Sequence, residues 1–244
     1  MGGACSRMPA TALPSVPAQN HLIERLPSRE RARLQALCEP VQLVLSEVLY
    51  EPGTLTRYVY FPTDGFISLV ARVQDSPGLE VGMIGREGML GAQLVLGVLK
   101  SPLLALVQGP GGAWRVRVKD FRAALAKSPA LQRALQSYVY VLMAQTVAAA
   151  GCLRFHLISQ RLARWLLMSQ DRAHANEFHV THEFLAYMLG VRRVGVTVAA
   201  GDLQKRGLIT YSRGALTVLD RLGLEAAACP CYAADCAVYA EHLG

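Results

Sequence analysis

The stretch THEFLAYMLGVRRVGVTVAAGDLQKRGLITYSRGALTVL, residues 181–219, decides the fold, because each of its parts has its own mechanical reading. Thr181 is a good N-cap, since its hydroxyl can accept from a free amide of the first helical turn. Phe184, Leu185 and Met188 or Leu189 then fall on the inner face of a short helix. Gly190 stops that helix by supplying the positive φ of a tight turn, and Val191 fills the angle to the next helix. From Arg192 to about Arg206 a second helix buries Val196, Ala199, Ala200 and Leu203. It leaves Arg192, Arg193, Gly195 and Thr197 near its exposed N-terminal end. After Gly207, LITYS and ALTVL are two short strands joined at Arg213 and Gly214. Helix, glycine turn, basic helix and two-stranded wing, in that order, predict a winged helix-turn-helix.

In such a unit the second helix enters the major groove of DNA N-terminus first, with early side chains at base edges and flanking cations on phosphates. Double-stranded DNA is therefore the expected partner. Arg193 is the expected base reader, because a guanidinium can pair bidentately with guanine; Arg192, Lys205 and Arg213 are expected on phosphates. Thr181, His182, Gly195, Thr197 and Arg206 complete the predicted DNA-facing set. Charge agrees: Lys and Arg number 25 against 18 Asp and Glu, the calculated pI is near 9.3, and the cations crowd this C-terminal stretch.

Upstream the pattern is different. After a Pro/Ala/Ser-rich leader (1–20), His21 to Cys38 reads as an amphipathic helix with Leu22, Leu26, Leu34 and Leu37 on one side. From Val41 to about Val118 run short β-type segments, VQLVL, YVYFP, FISLVARV, LEVGMIG, LLALVQ and AWRVRV, separated by Gly- and Pro-containing breaks. They predict an antiparallel sandwich or barrel. Asp120 caps a short helix to Lys127, and Ser128-Pro129 starts a long one. Along it Leu131, Leu135, Tyr138, Leu142, Gln145, Ala149, Cys152 and His156 recur at alternating spacings of four and three, the coiled-coil period. Leu135, Tyr138, Leu142, Gln145, Ala149 and Cys152 are the predicted seam of a homodimer; an ordinary core helix packed on its own domain is the alternative. A further helix, 157–171, carries Leu162, Trp165, Leu166 and Met168 inward. The expected fold class is α+β, with a sensor domain over 21–127, a dimerisation helix over 128–156 and a DNA-binding domain over 157–244.

Hydrophobic residues make up 52% of the chain, so a membrane reading needs testing. The most apolar window, Ala134–Leu153, contains Gln136, Ser137, Gln145 and Thr146 and is bracketed by Arg133 and Arg154, too polar for a comfortable span. It reads as a buried interface helix, and no membrane association is expected. The first 20 residues lack the continuous apolar core of a signal peptide, so the expected location is the cytoplasm. Six cysteines are scattered without the layout of a disulfide framework. Cys229, Cys231 and Cys236 cluster, but no fourth ligand is obvious apart from His242, and no metal site or cofactor is predicted. No Ser-His-Asp order, phosphate loop or paired-histidine motif is present, so the chain is not expected to be an enzyme. A rival reading is a ligand-binding or scaffold module whose helix-turn-helix serves protein interaction; the basic excess on the recognition face argues against it.

From His21 to Tyr232 the chain resembles the Crp/Fnr superfamily of bacterial regulators. The winged helix carries most of the likeness, through the turn at Gly190, the arginine at 193 and the wing. The β-roll half rests on Gly53, Gly65, Gly82, Gly85, Gly88 and Gly91 and on IGREGMLGAQLVLGVLKSPLLALVQ, residues 84–108. The resemblance implies a cyclic-nucleotide-binding-like β-roll sensor, a long dimerisation helix and a DNA-binding winged helix; it makes RNA polymerase a further candidate partner. Departures bear on the ligand. The family's phosphate cassette uses a glutamate and, later, an arginine followed by a small hydroxyl residue. Glu87 can stand for the glutamate, but Lys100, Ser101 and Pro102 occupy the arginine region, and Lys cannot reproduce a bidentate clamp on phosphate. Glu87, Lys100 and Ser101 mark a candidate pocket whose effector is not expected to be cyclic AMP. Val194 and Val198 replace a base-reading Glu and Arg, so a different operator is expected. The N-terminal cysteine set of the oxygen-sensing branch is also absent.

Overall fold

The computed structural model describes residues 20–72, 78–173 and 175–244. Most of the leader, including Cys5, and the end of the FISLVARV segment at Val73 lie outside those residues. The β segments form two antiparallel sheets, as the sequence predicts. One has the order β1 (Glu39–Leu43), β7 (Gly111–Arg117), β3 (Tyr58–Pro62). The other runs β2 (Val48–Tyr50), β6 (Leu104–Gly109), β4 (Phe66–Ala71), β5 (Leu79–Ile84). Leu43, Tyr50, Ile67, Ile84, Leu90, Ala105, Val107 and Ala113 fill one core of this roll. The β3–β4 turn needs Gly65: its φ is +73°, and any Cβ there would run into the backbone carbonyl of Gly109.

The N-terminal helix departs from expectation. Pro27 divides it into α1 (His21–Glu24) and α2 (Ser28–Gln35), because proline lacks an amide to continue the first helix but opens the second without loss. Leu37 then falls beyond the helix and is exposed. Asn20 starts α1, accepting from the Leu22 amide and donating to the carbonyls of Pro62 and Gly88.

The helix α3 (Val118–Lys127) starts two residues before the expected Asp120 cap, which falls within its first turn, and Ser128 then caps α4 (Pro129–Phe155), its hydroxyl accepting from the Leu131 amide at 3.1 Å. Among the described residues α4 is the single helix long and apolar enough to cross a membrane. Its Leu131, Leu135, Tyr138 and Val141 instead pack on Leu22, Phe61, Val116 and Phe121 of the roll. Tyr138 reaches over Gly88, where no side chain would fit, and donates to the Met89 carbonyl.

The winged unit comprises α5 (Ile158–Ala173), β8 (Glu177–His179), α6 (His182–Leu189), α7 (Arg193–Lys205), β9 (Ile209–Ser212), β10 (Ala215–Val218) and α8 (Arg221–Ala227). The wing sheet has three strands in the order β8, β10, β9, one more than the sequence pattern announces. Leu162, Leu166, Leu185, Val196, Ala200, Leu203, Leu216 and Leu224 share one core, which also takes in Phe66, Val70, Met83 and Leu104 of the roll. A last helix, α9 (Cys231–Leu243), returns along α4 to the roll, where Arg25 donates to the carbonyls of Leu243 and Gly244.

Candidate nucleic-acid interface

Thr181 caps α6 as predicted, its Oγ1 accepting from the Phe184 amide at 3.1 Å. Gly190 ends α6 in the left-handed region at φ +60°. The α6 and α7 axes meet at 107°, and Val191 is packed into the angle between them. Val196, Ala199, Ala200 and Leu203 are the buried face of α7. Its other face presents Arg192, Arg193, Val194, Thr197, Val198, Lys205 and Arg206 to solvent. The wing turn adds Arg213, exposed at φ +50°.

The carboxylates near these cations are few and loosely held. Arg193 is 4.0 Å from Glu183, and Arg206 is 3.5 Å from Asp202, both pairs well exposed. Exposed pairs of this kind contribute little, so both guanidiniums are available to a stronger anion at small cost. The face is cationic at both ends of α7 and apolar between them, where Val194 and Val198 are 66% and 69% exposed. Two such valines offer contact surface to a thymine methyl rather than hydrogen bonds.

Three predicted contact residues have other work here. His182 stacks on Tyr211, with ring centroids 4.4 Å apart and an interplanar angle of 12°. Its Nδ1 lies 3.0 Å from Thr197 Oγ1, and that hydroxyl also donates to the Arg193 carbonyl. One hydroxyl has one proton, so His182 donates from Nδ1. Burial, and then the nearby Arg193 charge, lower its pKa. His182 and Thr197 thus tie α6, α7 and the wing together. Gly195 faces inward, where a Cβ would meet Ile158 Cδ1 at 2.7 Å; it lets α7 lie close to α5. Tyr211, absent from the predicted set, anchors the wing by donating to the Val180 carbonyl at 2.9 Å.

The candidate ligand residues do not converge. Glu87 accepts from Arg172 Nε of α5 at 2.9 Å and from the Gly85 amide at 3.1 Å. Lys100 and Ser101 instead pair with Leu55 and Thr54 at the far edge of the roll. A cleft of about 1170 Å³ opens beside Tyr50, Arg57, Tyr58, Tyr60, Lys119 and Arg122, and none of the three lines it. The sequence reading also misses a contact between the roll and the winged unit. Trp165 Nε1 donates to Glu80 Oε1 at 2.9 Å, while Ser68 Oγ donates to Glu80 Oε2 at 2.5 Å. Desolvation pushes the Glu80 carboxyl up to about 7, against the two hydrogen bonds and the charges of Arg172 and Arg164. A lone glutamate in the otherwise apolar segment LEVGMI is the signal that points to it.

The six predicted seam residues divide as well. Leu135, Tyr138 and Cys152 are buried within this chain, and Leu142, Gln145 and Ala149 are half-buried. The exposed line of α4 is Gln136, Tyr140, Met143, Val147, Ala150 and Arg154. It has the same alternating spacing, displaced around the helix. Spacing fixes the period of a stripe, not which of two stripes its own domain and α9 will cover.

These features define a winged helix-turn-helix protein with a β-roll domain joined to it by one long helix. Residues 160–227 match the Crp-like helix-turn-helix domain family, and over 78–85% of its length the chain has the fold of Crp/Fnr-family transcriptional regulators. One such regulator from Eubacterium rectale superposes with a TM-score of 0.67 at 15% identity, over 85% of this chain and 98% of its own. FixK2 from Bradyrhizobium japonicum gives 0.66 at 15%, over 79% and 98%. A Crp/Fnr-family regulator from Thermus thermophilus gives 0.64 at 22%, over 78% and 98%. No curated protein matches the chain by sequence.

Proposed function

We propose that this chain is a sequence-specific, DNA-binding transcription regulator of the Crp/Fnr type, without catalytic activity, that works in the cytoplasm as a homodimer on a pseudo-palindromic operator. The observation that carries the proposal is the exposed cationic N-terminal end of α7. It is held at 107° to α6 by a glycine turn and flanked by the wing cation Arg213. Arg193 reads a base; Arg192, Lys205, Arg206 and Arg213 hold phosphates. Residues 21–127 form the sensor, 128–156 the dimerisation helix and 157–244 the DNA-binding domain.

The dimer seam of this proposal is the exposed stripe of α4 rather than the residues first expected. Tyr140, Met143 and Val147 are between 53% and 73% exposed, and a second copy of the same stripe covers them by two-fold pairing. Two recognition helices then meet successive major grooves about one helical turn apart. The effector of the sensor is not cyclic AMP: Glu87 is engaged by Arg172, and no arginine stands beside Ser101 to clamp a phosphate.

The test is selection of bound duplexes from a random pool by the purified protein at fixed salt, with and without cyclic AMP. Enrichment of a two-fold symmetric site, unchanged by the nucleotide, is expected. Enrichment only with cyclic AMP would overturn the ligand assignment. No enrichment, with binding insensitive to salt, would favour a protein-interaction role for the helix-turn-helix.

A further inference from the structure

Two helices distant in sequence bring four soft ligands to one point. Cys152 and His156 lie four residues apart at the end of α4, so both project from one face of its last turn. Cys229 and Cys231 flank Pro230 at the start of α9, which runs back along α4. Cys152 Sγ is 3.4 Å from Cys229 Sγ, and Cys231 Sγ is 3.6 Å from His156 Nδ1. All four ligand atoms lie within 4.8 Å of one another. A tetrahedron built on metal–sulfur bonds of about 2.3 Å has sulfur–sulfur edges of about 3.8 Å, so the cluster needs only small adjustments to close around one ion. An iron–sulfur cluster would need its thiolates farther apart. Cys236 and His242, which the sequence offers as completing ligands, are not part of the group.

We propose that Cys152, His156, Cys229 and Cys231 form a mononuclear, tetrahedral site for a soft divalent cation of the zinc type. Three thiolates and an imidazole suit such an ion and not calcium or magnesium, which demand oxygen. Four protein ligands leave no open position, which makes the site structural rather than catalytic. Three thiolates around a dication carry one net negative charge. Arg161, one turn into α5, is close enough to Cys152 and Cys229 to balance it, while the neighbouring Arg164 is paired with Asp235. Cys152 and Cys229 are buried while His156 and Cys231 keep some access to solvent, which gives the ion an entry side.

The position gives the site its consequence. His156 is the residue at which α4 ends and the chain turns into α5, with extended backbone at φ −109°, ψ 146°. Because α5 carries the winged unit, an ion bound here ties α9 to the joint between sensor and DNA-binding domains. If the chain binds DNA as proposed above, occupancy then sets the angle at which α7 is presented. The metal site itself does not rest on that reading.

The test begins with Co²⁺ titration of the reduced, full-length apoprotein. One equivalent should bind with the intense red absorption of a tetrahedral cobalt–thiolate centre. Cys229→Ser and Cys231→Ser should lose it, and Cys38→Ser, a thiol elsewhere in the fold, should keep it. Alkylation read by mass spectrometry guards against variants that misfold: in the wild type, Zn²⁺ should protect Cys152, Cys229 and Cys231 but not Cys38. Absence of the tetrahedral spectrum together with equal alkylation with and without Zn²⁺ would overturn the site. So would a Cys152–Cys229 disulfide forming under mild oxidant in a protein that takes up no metal when reduced. Affinity for the selected duplex should change by about tenfold between the metal-free and Zn²⁺-loaded protein, a common size for coupling between sites. Equal affinities would overturn the regulatory part alone.

Discussion

Glu80 is one of the carboxyl groups through which the β-roll touches the winged unit, and replacing it with glutamine isolates the effect of its charge. The side chain sits between Ser68 of β4 and Trp165 of α5 and accepts from both. Glutamine can keep accepting from Trp165 through its carbonyl and donate to Ser68 through its amide, so the shape of the contact survives. Burial raises the Glu80 carboxyl from 4.5 to about 7. The folded state therefore holds this proton more tightly than the unfolded state does. The contribution is favourable below about pH 4.5 and is lost as pH rises through about 7. By linkage the wild type should lose at most about 2.5 kcal/mol relative to Glu80→Gln between pH 5 and pH 8; partial exposure of the side chain reduces that figure. Each kcal/mol moves the melting midpoint of a chain of this size by about 2–4 °C. The assay is thermal melting of both proteins from pH 5 to pH 8. The variant should be comparable or slightly weaker at pH 5 and should melt about 5 °C above the wild type at pH 8. Parallel profiles would show that Glu80 titrates normally and that the desolvation argument is wrong.

Arg193→Ala should weaken binding to the selected site by about 1–3 kcal/mol and relax one base preference, whereas Arg213→Ala should weaken all duplexes alike and lower the salt slope by about one; competition binding over a salt series separates the two. Gly65→Ala should destabilise the roll by about 2 kcal/mol or more in a urea melt, because the positive φ and the Gly109 carbonyl both oppose a side chain. Val147→Glu and Met143→Glu should each convert the dimer to monomer in sedimentation without a large change in melting temperature, because both side chains are exposed within one chain; a retained dimer would place the seam elsewhere.

Much of this architecture is legible in the sequence where one face of an element is buried and the other is not. YVYFP is β3 to the residue, Ser128-Pro129 starts α4, and Gly190 ends α6, each because a local physical requirement names the residue type. What escapes the pattern depends on distant partners. Only three residues long, β2 and β8 are too short to show alternation. In α9, Tyr232 packs on the winged-unit core while Leu243 and Val238 pack on the roll, so no single apolar stripe marks the helix. The cysteine cluster unites residues 77 positions apart, which no local motif can announce. Within the recognition unit, His182 and Gly195 occupy positions that helical periodicity assigns to an outer face. Their inward roles follow from Tyr211 on the wing and Ile158 on α5, neither of which the period of α7 can reveal.

The same contacts decide how a change in the roll can reach α7. Since α7 packs on α5, its orientation follows that of α5. Polar connections tie α5 to the roll and to α9. Arg172 near its C-terminal end pairs with Glu87 of the roll, Trp165 in its middle donates to Glu80, and Arg164 pairs with Asp235 of α9 at 2.6 Å. Leu79, in the same strand as Glu80, also lies against Gly190 at the helix-turn-helix corner. Packed elements of this kind shift between discrete arrangements rather than bend continuously. A change confined to the roll moves β5 and acts on the Glu80 and Glu87 connections, while a change in the cysteine cluster acts on α9 and the α4–α5 joint. The two inputs reach α5 through different contacts, and either shifts α7 only as far as its own binding differs between the two arrangements. As pH rises through about 7 the Glu80 carboxyl must ionise out of contact with solvent to keep the docked arrangement, so alkaline pH should loosen the roll from α5 at this connection.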